Sequence, residues 1–276
     1  MIKKNISNKG NVTIFIVLGI VFLILISISA YFLYNYYSMQ NVIVRTVEQD
    51  IEGFEQSIEN CYYTKVPEQV LIVNFQSGRS NRIDALGDGL IYGDIEISKY
   101  LRCYYDNNIK KFASVIPSKQ DLEFELSRAI EDSLDSCFLE SIINYRNILN
   151  INYTYASVNT IIDDKKVSFN IDPNIVINYE SNNNQYSHSL SQFNIHQKVD
   201  DNRYLNVTNY LIQDIIDNDG QLDLTIMPKY NISINITAFP EEVYLFDLYD
   251  NYSVAEAQKT LYECHYLFAI DLNCIR

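Results

Sequence analysis

The 276-residue chain is 47% hydrophobic and carries a formal net charge of −14 at neutral pH. A chain of this length and apolar content can build a packed core, which excludes a disordered acidic tail. A strongly acidic surface repels the phosphate backbone, so we exclude nucleic acid as a partner.

The first predicted element is an apolar helix that runs from Val12 to Leu33 without a charged residue. About 22 helical residues are enough to cross the hydrocarbon core of a lipid bilayer. Lys3, Lys4 and Lys9 precede this segment, which by the positive-inside rule places the N-terminus in the cytoplasm. We therefore predict a cytoplasmic tail (1–11), a transmembrane helix (12–34) and an extracytoplasmic remainder (35–276) in a single-pass protein of the cell membrane.

Two other interpretations of this segment stay open. Ser27-Ile28-Ser29 before Ala30 fits the cleavage site of a secretory signal peptide, although the apolar run continues past it. Lys9-Gly10 before a hydrophobic helix resembles the class III signal of archaeal type IV pilin-like proteins, which is cut after the glycine. In such pilins the fifth residue after the cut is usually a glutamate that pairs with a neighbouring subunit, whereas this chain has Phe15.

A heptad-like pattern follows the membrane segment. Its apolar positions are spaced three and four residues apart, with acidic residues between them, as along the seam of a coiled coil. The pattern lasts about two and a half heptads, so we favour an amphipathic helix packed on its own domain. The alternative is a homo-oligomer held through Val44, Val47, Ile51, Phe54 and Ile58.

Further along, we predict a short helix from Pro67 to Phe75, a loop-rich stretch up to Pro117, and then a long helix. Ser118 is a good N-cap for this long helix, and Asp121 three residues later completes a capping box. An apolar stripe at helical spacing predicts that the helix faces the core; it comprises Leu122, Leu126, Ala129, Ile130, Leu134, Cys137 and Phe138.

After residue 148 the pattern changes to short alternating runs separated by polar turns, which is typical of antiparallel strands. One helix, RYLNVTNYLIQDIID, interrupts them before Asp219-Gly220. The predicted fold class is therefore α+β, with an N-terminal transmembrane helix, a helical region and a mostly antiparallel sheet with one inserted helix. We expect a helical and loop region (35–147) to pack with a sheet region (148–276) as one ectodomain.

Several blocks of the chain resemble one family in order. The opening KGNVTIFIVLGIVFL resembles the KGQVTIFIILGI start of a family of single-span, exported archaeal proteins. IEGFEQSIENC and IPSKQDLEFELSRAIEDSLDSCF resemble its two helices that end in cysteine, and VNTIIDDKKVSFNIDPNIVI resembles its hairpin. The family usually has a glycine-rich LQGGY segment where this chain has Phe75-Gln76-Ser77-Gly78-Arg79. The resemblance implies a topology and an architecture, and no activity.

Five cysteines outside the membrane segment indicate an oxidising compartment and at least one disulfide. Cys61 and Cys137 occupy the two family positions, so the resemblance implies that they form a bridge between the two helices. Cys264 and Cys274, ten residues apart, are a second candidate pair, and buried free thiols remain the alternative.

No catalytic or metal-binding motif is evident, so the sequence predicts no enzyme activity, no metal and no cofactor. Five N-x-S/T sequons lie outside the membrane segment and are candidate glycosylation sites: Asn152, Asn206, Asn231, Asn235 and Asn251. The sequence thus predicts a membrane-anchored cell-surface or envelope protein with a binding or structural role. The alternatives are a pilin-like filament subunit and an envelope enzyme with a carboxylate site.

Overall fold

A computed structural model describes residues 9–78, 90–93, 95–181, 184–222, 230–257 and 260–275. Three α-helices lie in these ranges: α1 (Lys9–Phe75), α2 (Lys119–Tyr145) and α3 (Asp201–Asp217). The strands described there are β1 (Leu90–Tyr92), β2 (Ile95–Ile97), β3 (Lys99–Asp106), β4 (Ile109–Ser114), β5 (Asn150–Tyr153), β6 (Ser157–Asp163), β7 (Lys166–Asp172), β8 (Ile175–Ser181), β9 (Asn184–Ser189), β10 (Phe193–Gln197), β11 (Ser233–Phe239), β12 (Val243–Ala257) and β13 (Thr260–Ile275).

Helix α1 is continuous over 67 residues, and Pro67 lies inside it. The prediction of a separate helix beginning at Pro67 is therefore wrong. Proline normally disturbs a helix because it lacks the N–H that would bond the carbonyl four residues earlier. Here Val66, Val70 and Val73 on both sides of the proline are fully buried. Their packing holds the helix together across the missing hydrogen bond.

The heptad-like face of α1 packs inside the chain itself. Phe54 and Ile58 are fully buried, and Ile51 is 8% exposed. Val47 is partly buried against the same core, whereas the side chain of Val44 lies outside the described residues. The apolar side chains of this face contact α2 and the sheets, as expected for an amphipathic helix packed on its own domain. A homo-oligomer held through the same residues stays a prediction.

Helix α2 begins as the capping box predicts. The Ser118 hydroxyl accepts from the Asp121 backbone N–H, and the Asp121 carboxylate accepts from the Ser118 N–H. Six of the seven residues of the predicted stripe are buried. Tyr145 packs edge-to-face on Phe54, and Phe138 packs edge-to-face on Tyr62. These contacts make α2 antiparallel to the second half of α1.

The strands form four sheets in the described ranges. Their orders are β1-β2, β10-β7-β6, β5-β8-β9 and β11-β12-β13-β3-β4. Every pairing is antiparallel except that of β13 with β3. The predicted antiparallel character and mixed helix-sheet content are confirmed. The predicted boundary at residue 148 is wrong, because β3 and β4 lie before it and belong to the sheet formed by β11–β13.

A single cluster of buried residues connects these elements. It extends along the chain from Ile51 on α1 to Ile270 on β13, and includes α2, α3 and three of the sheets. The second half of α1 therefore serves as the central spine of the head, which we define as residues 47–275.

Helix α2 also covers the free edge of β6. Four of its side chains accept hydrogen bonds from backbone N–H groups on that strand or just before it. The pairs are Glu123 with Ile162 at 2.9 Å, Ser127 with Thr160 at 3.1 Å, Glu131 with Val158 at 2.8 Å and Asp135 with Ala156 at 3.0 Å. An exposed strand edge is a template for aggregation, and these side chains occupy its donors.

Candidate functional site

The part of α1 before the head is the most distinctive surface of the molecule. Over Ile20–Tyr37 the helix has a mean hydropathy of 1.7, and none of these residues is buried within the chain. Its 18 residues extend about 27 Å along the axis. The helix is therefore long and apolar enough to cross a membrane.

The structure joins Cys61 and Cys137 in a disulfide, with their Cα atoms 5.9 Å apart. Cys61 lies on α1 and Cys137 on α2, one residue before each member of the Tyr62–Phe138 aromatic pair. The bridge therefore links α1 to the helix that covers β6. Ser141 is next to it, within 2.8 Å of the Ser57 hydroxyl.

The second predicted disulfide is corrected by the structure. Cys264 is a buried free thiol. Both members of the predicted pair belong to the single strand β13, where ten extended residues separate them by about 33 Å. Two cysteines on one extended strand at that separation cannot form a bridge. Cys103 on β3 is disulfide-bonded.

The five sequon asparagines are all exposed, but the exposure of the Ser or Thr at the third position differs between the sequons. In the sequons of Asn152, Asn231 and Asn235 the third residue is exposed as well. In the other two sequons, which begin at Asn206 and Asn251, it is Thr208 and Ser253, which are 0% and 1% exposed. Only the first three sequons therefore expose both the asparagine and the hydroxyl residue to solvent in the folded head.

Each histidine has a separate partner. His188 bonds the Glu55 carboxylate at 2.7 Å, His265 bonds the Asp247 carboxylate at 2.8 Å, and His196 bonds the Ser168 hydroxyl at 3.0 Å. Among the described residues, no three His, Cys, Asp or Glu side chains come together as a set of metal ligands. The histidines therefore link β9 to α1, β13 to β12 and β10 to β7 through side-chain hydrogen bonds.

Three open grooves occur on the described part of the head, and two of them are lined by acidic side chains. One, of about 580 Å³, lies between α2 and β6 and contains the carboxylates of Glu123, Glu131 and Asp132. The first two of these acids accept the strand's N–H groups, so they hold the structure together. The other, of about 530 Å³, lies between α1, β10 and β12, where Tyr63, His196 and Glu256 contribute to its walls.

A buried polar cluster that no sequence pattern predicted lies at the end of α1. The Asn74 amide donates to the Asp201 carboxyl oxygen Oδ1 at 2.9 Å, and both residues are 0% exposed. Asn74 lies in the last turn of α1 and Asp201 in the first turn of α3, 127 residues later. No local pattern links the two positions, since each is a polar residue at a helix end.

Other polar groups continue this cluster into the sheet. Asp250 accepts from the Ser253 backbone N–H at 2.6 Å and forms an ion pair with Arg203. The Tyr204 hydroxyl donates to the Cys264 carbonyl at 3.2 Å. Burial raises the pKa of the Cys264 thiol to about 12. The thiol is thus kept protonated and unreactive, as expected for a structural cysteine.

Comparisons of the chain with protein-family models, with curated proteins and with solved structures found no match.

Proposed function

We propose that this chain is a membrane-anchored protein of the cell surface or envelope, with its N-terminus in the cytoplasm and its head outside. The observation that carries the proposal is the continuity of α1. One helix has an exposed apolar half, Ile20–Tyr37, and a second half that is the spine of the head. The head is therefore held to the bilayer by a helix with no interruption between them.

The charge and cysteine pattern support the orientation. Basic residues precede the apolar half, and the part that follows is acidic. The Cys61–Cys137 bridge fits an oxidising exterior, because disulfides seldom persist in the cytosol. The sequence resemblance to single-span exported archaeal proteins agrees with the same arrangement. A head with three open grooves suits a binding or structural role.

Membrane flotation of a variant in the span tests the anchor. The change Ile24→Lys combined with Leu25→Lys places two charges near the centre of the span, where each is costly. We expect the wild-type chain to float with membrane vesicles in a density gradient and the variant to remain at the bottom. A matched control is Tyr63→Lys, an exposed site on the same helix within the head, which should float like the wild type. Flotation of the span variant at the wild-type level would refute the anchor.

A pilin-like filament subunit is the second candidate. The same helix favours it, because copies of the exposed apolar half could cover one another in a filament core while the heads point outward. N-terminal sequencing of the mature protein separates the two functions. A start at Asn11 together with filaments in electron micrographs would support the filament subunit, and an unprocessed N-terminus would support the anchor. The absence of the expected glutamate at Phe15 makes the anchor our first choice.

A further inference from the structure

We propose that the Asp201 carboxyl group is protonated in the folded protein and forms a ring of two hydrogen bonds with the Asn74 side chain. This pair, which we call the clasp, links the end of α1 to the start of α3 and depends on the bound proton.

The geometry of the two unpartnered atoms carries this inference. One bond of the pair is present, from the Asn74 amide nitrogen to Asp201 Oδ1. The other oxygen of each side chain, Asn74 Oδ1 and Asp201 Oδ2, is buried and has no hydrogen-bond partner among the residues that the structure describes. Two oxygens cannot bond each other without a hydrogen. A proton on Asp201 Oδ2 supplies that hydrogen, and a single proton then satisfies both atoms.

The surroundings of Asp201 favour the neutral acid. The side chain is fully buried, and leaving a charged carboxylate there would cost far more than leaving a neutral one. The titratable groups that face it are Asp200 at the N-cap of α3, Tyr204 on α3 and Cys264 on β13, with Asp250 on β12 beyond them. Arg203, two residues later on α3, forms ion pairs with Asp200 and Asp250.

The pKa of Asp201 agrees with this arrangement. Burial raises it from 3.8 to about 7, the amide of Asn74 opposes the rise, and the charge of Asp200 adds to it. Because the folded pKa lies above the unfolded value, the folded state binds one more proton between these two pH values. The bound proton therefore stabilises the folded state, and its contribution to the free energy of unfolding is full below about pH 4 and is lost as the pH rises to about 7. Near neutral pH the clasp therefore opens and closes with small changes in acidity.

The change Asp201→Asn tests the clasp in the full-length chain. An asparagine at this position can keep both hydrogen bonds to Asn74 but cannot titrate. We expect the unfolding constant of the wild type, relative to that of the variant, to rise by up to tenfold per pH unit between pH 5 and 7 and to be constant above pH 8. Histidines and other carboxylates are common to both proteins, so their contributions cancel in this ratio. A pH-independent ratio would overturn the proposal.

A matched control and a second measurement complete the test. Asp217→Asn removes an exposed acid at the other end of the same helix and should leave the pH dependence unchanged. Infrared spectroscopy of the folded chain at pH 5 should show the carbonyl band of a protonated, buried carboxyl group that is missing in Asp201→Asn. If the band is absent from the wild type, Asp201 is ionised and the ring does not form.

Discussion

The carboxylate of Glu131 on α2 accepts the backbone N–H of Val158 on β6 at 2.8 Å, so a helix side chain takes the place of a neighbouring strand. Four such bonds follow one another along the two elements. Successive acceptors are four residues apart on the helix, a rise of about 6 Å, and successive donors are two residues apart on the strand, a rise of about 6.7 Å. The two spacings match closely enough for α2 to cover the strand edge over its whole length.

The change Glu131→Ala tests this edge. It removes the acceptor and leaves the Val158 N–H without a protein partner, at a residue that is 8% exposed. We expect the free energy of unfolding to fall by about 1–3 kcal/mol, the cost of leaving a largely buried donor unpaired. Denaturant unfolding monitored by circular dichroism measures it. The uncovered edge should also increase aggregation at high protein concentration.

The control for this variant is Glu140→Ala, which removes an exposed acid further along the same helix. Its effect should remain within about 0.5 kcal/mol, as is usual for surface substitutions. Equal stability of the two variants would show that the Glu131–Val158 bond contributes nothing to the fold.

Removal of the bridge between α1 and α2 should also destabilise the head. The double change Cys61→Ser and Cys137→Ser opens a loop of 76 residues, and the chain-entropy estimate for that length is about 4 kcal/mol. Thermal and denaturant unfolding of the oxidised proteins measure the difference. Cys264→Ala, which removes a buried thiol and no disulfide, is the comparison and should cost about 1 kcal/mol. An unaltered stability of the double variant would contradict a structural role for the bridge.

The sequons should differ when the folded protein meets an oligosaccharyltransferase. We expect modification at Asn152, Asn231 and Asn235, because their hydroxyl residues are exposed, and none at Asn206 and Asn251. Glycopeptide mass spectrometry after treatment in vitro measures the occupancy of each site. The same chain, reduced and unfolded before treatment, is the control and should accept glycans at all five. Modification of Asn206 in the folded chain would show that burial of Thr208 does not protect it.

Local patterns were enough to predict α2 and α3. The capping box at Ser118 and Asp121 and the apolar stripe that follows it predicted α2, and the structure confirms both. The helical pattern of RYLNVTNYLIQDIID predicted α3, which the structure begins two residues earlier, at Asp201. Each of these features lies within one continuous segment of the chain, so the segment itself contains the information needed to predict it.

The features that the sequence did not predict depend on distant segments. Strands β3 and β4 lie in the stretch that is predicted to be rich in loops. The turn between them was a usable signal, since Asn107 and Asn108 both adopt positive φ, at 51° and 65°, as in a tight hairpin. The parallel pairing of β3 with β13 and the contact of Asn74 with Asp201 join positions more than 100 residues apart. No local pattern records them.

The orientation of the chain is tested most directly by epitope tags at its two ends. Right-side-out membrane vesicles that contain the doubly tagged protein are treated with a protease, with and without detergent. We expect the C-terminal tag to disappear in intact vesicles and the N-terminal tag to remain, on a short membrane-bound fragment that includes residues 12–34. Survival of the C-terminal tag in intact vesicles, with its loss only after detergent, would contradict an external head on a membrane anchor.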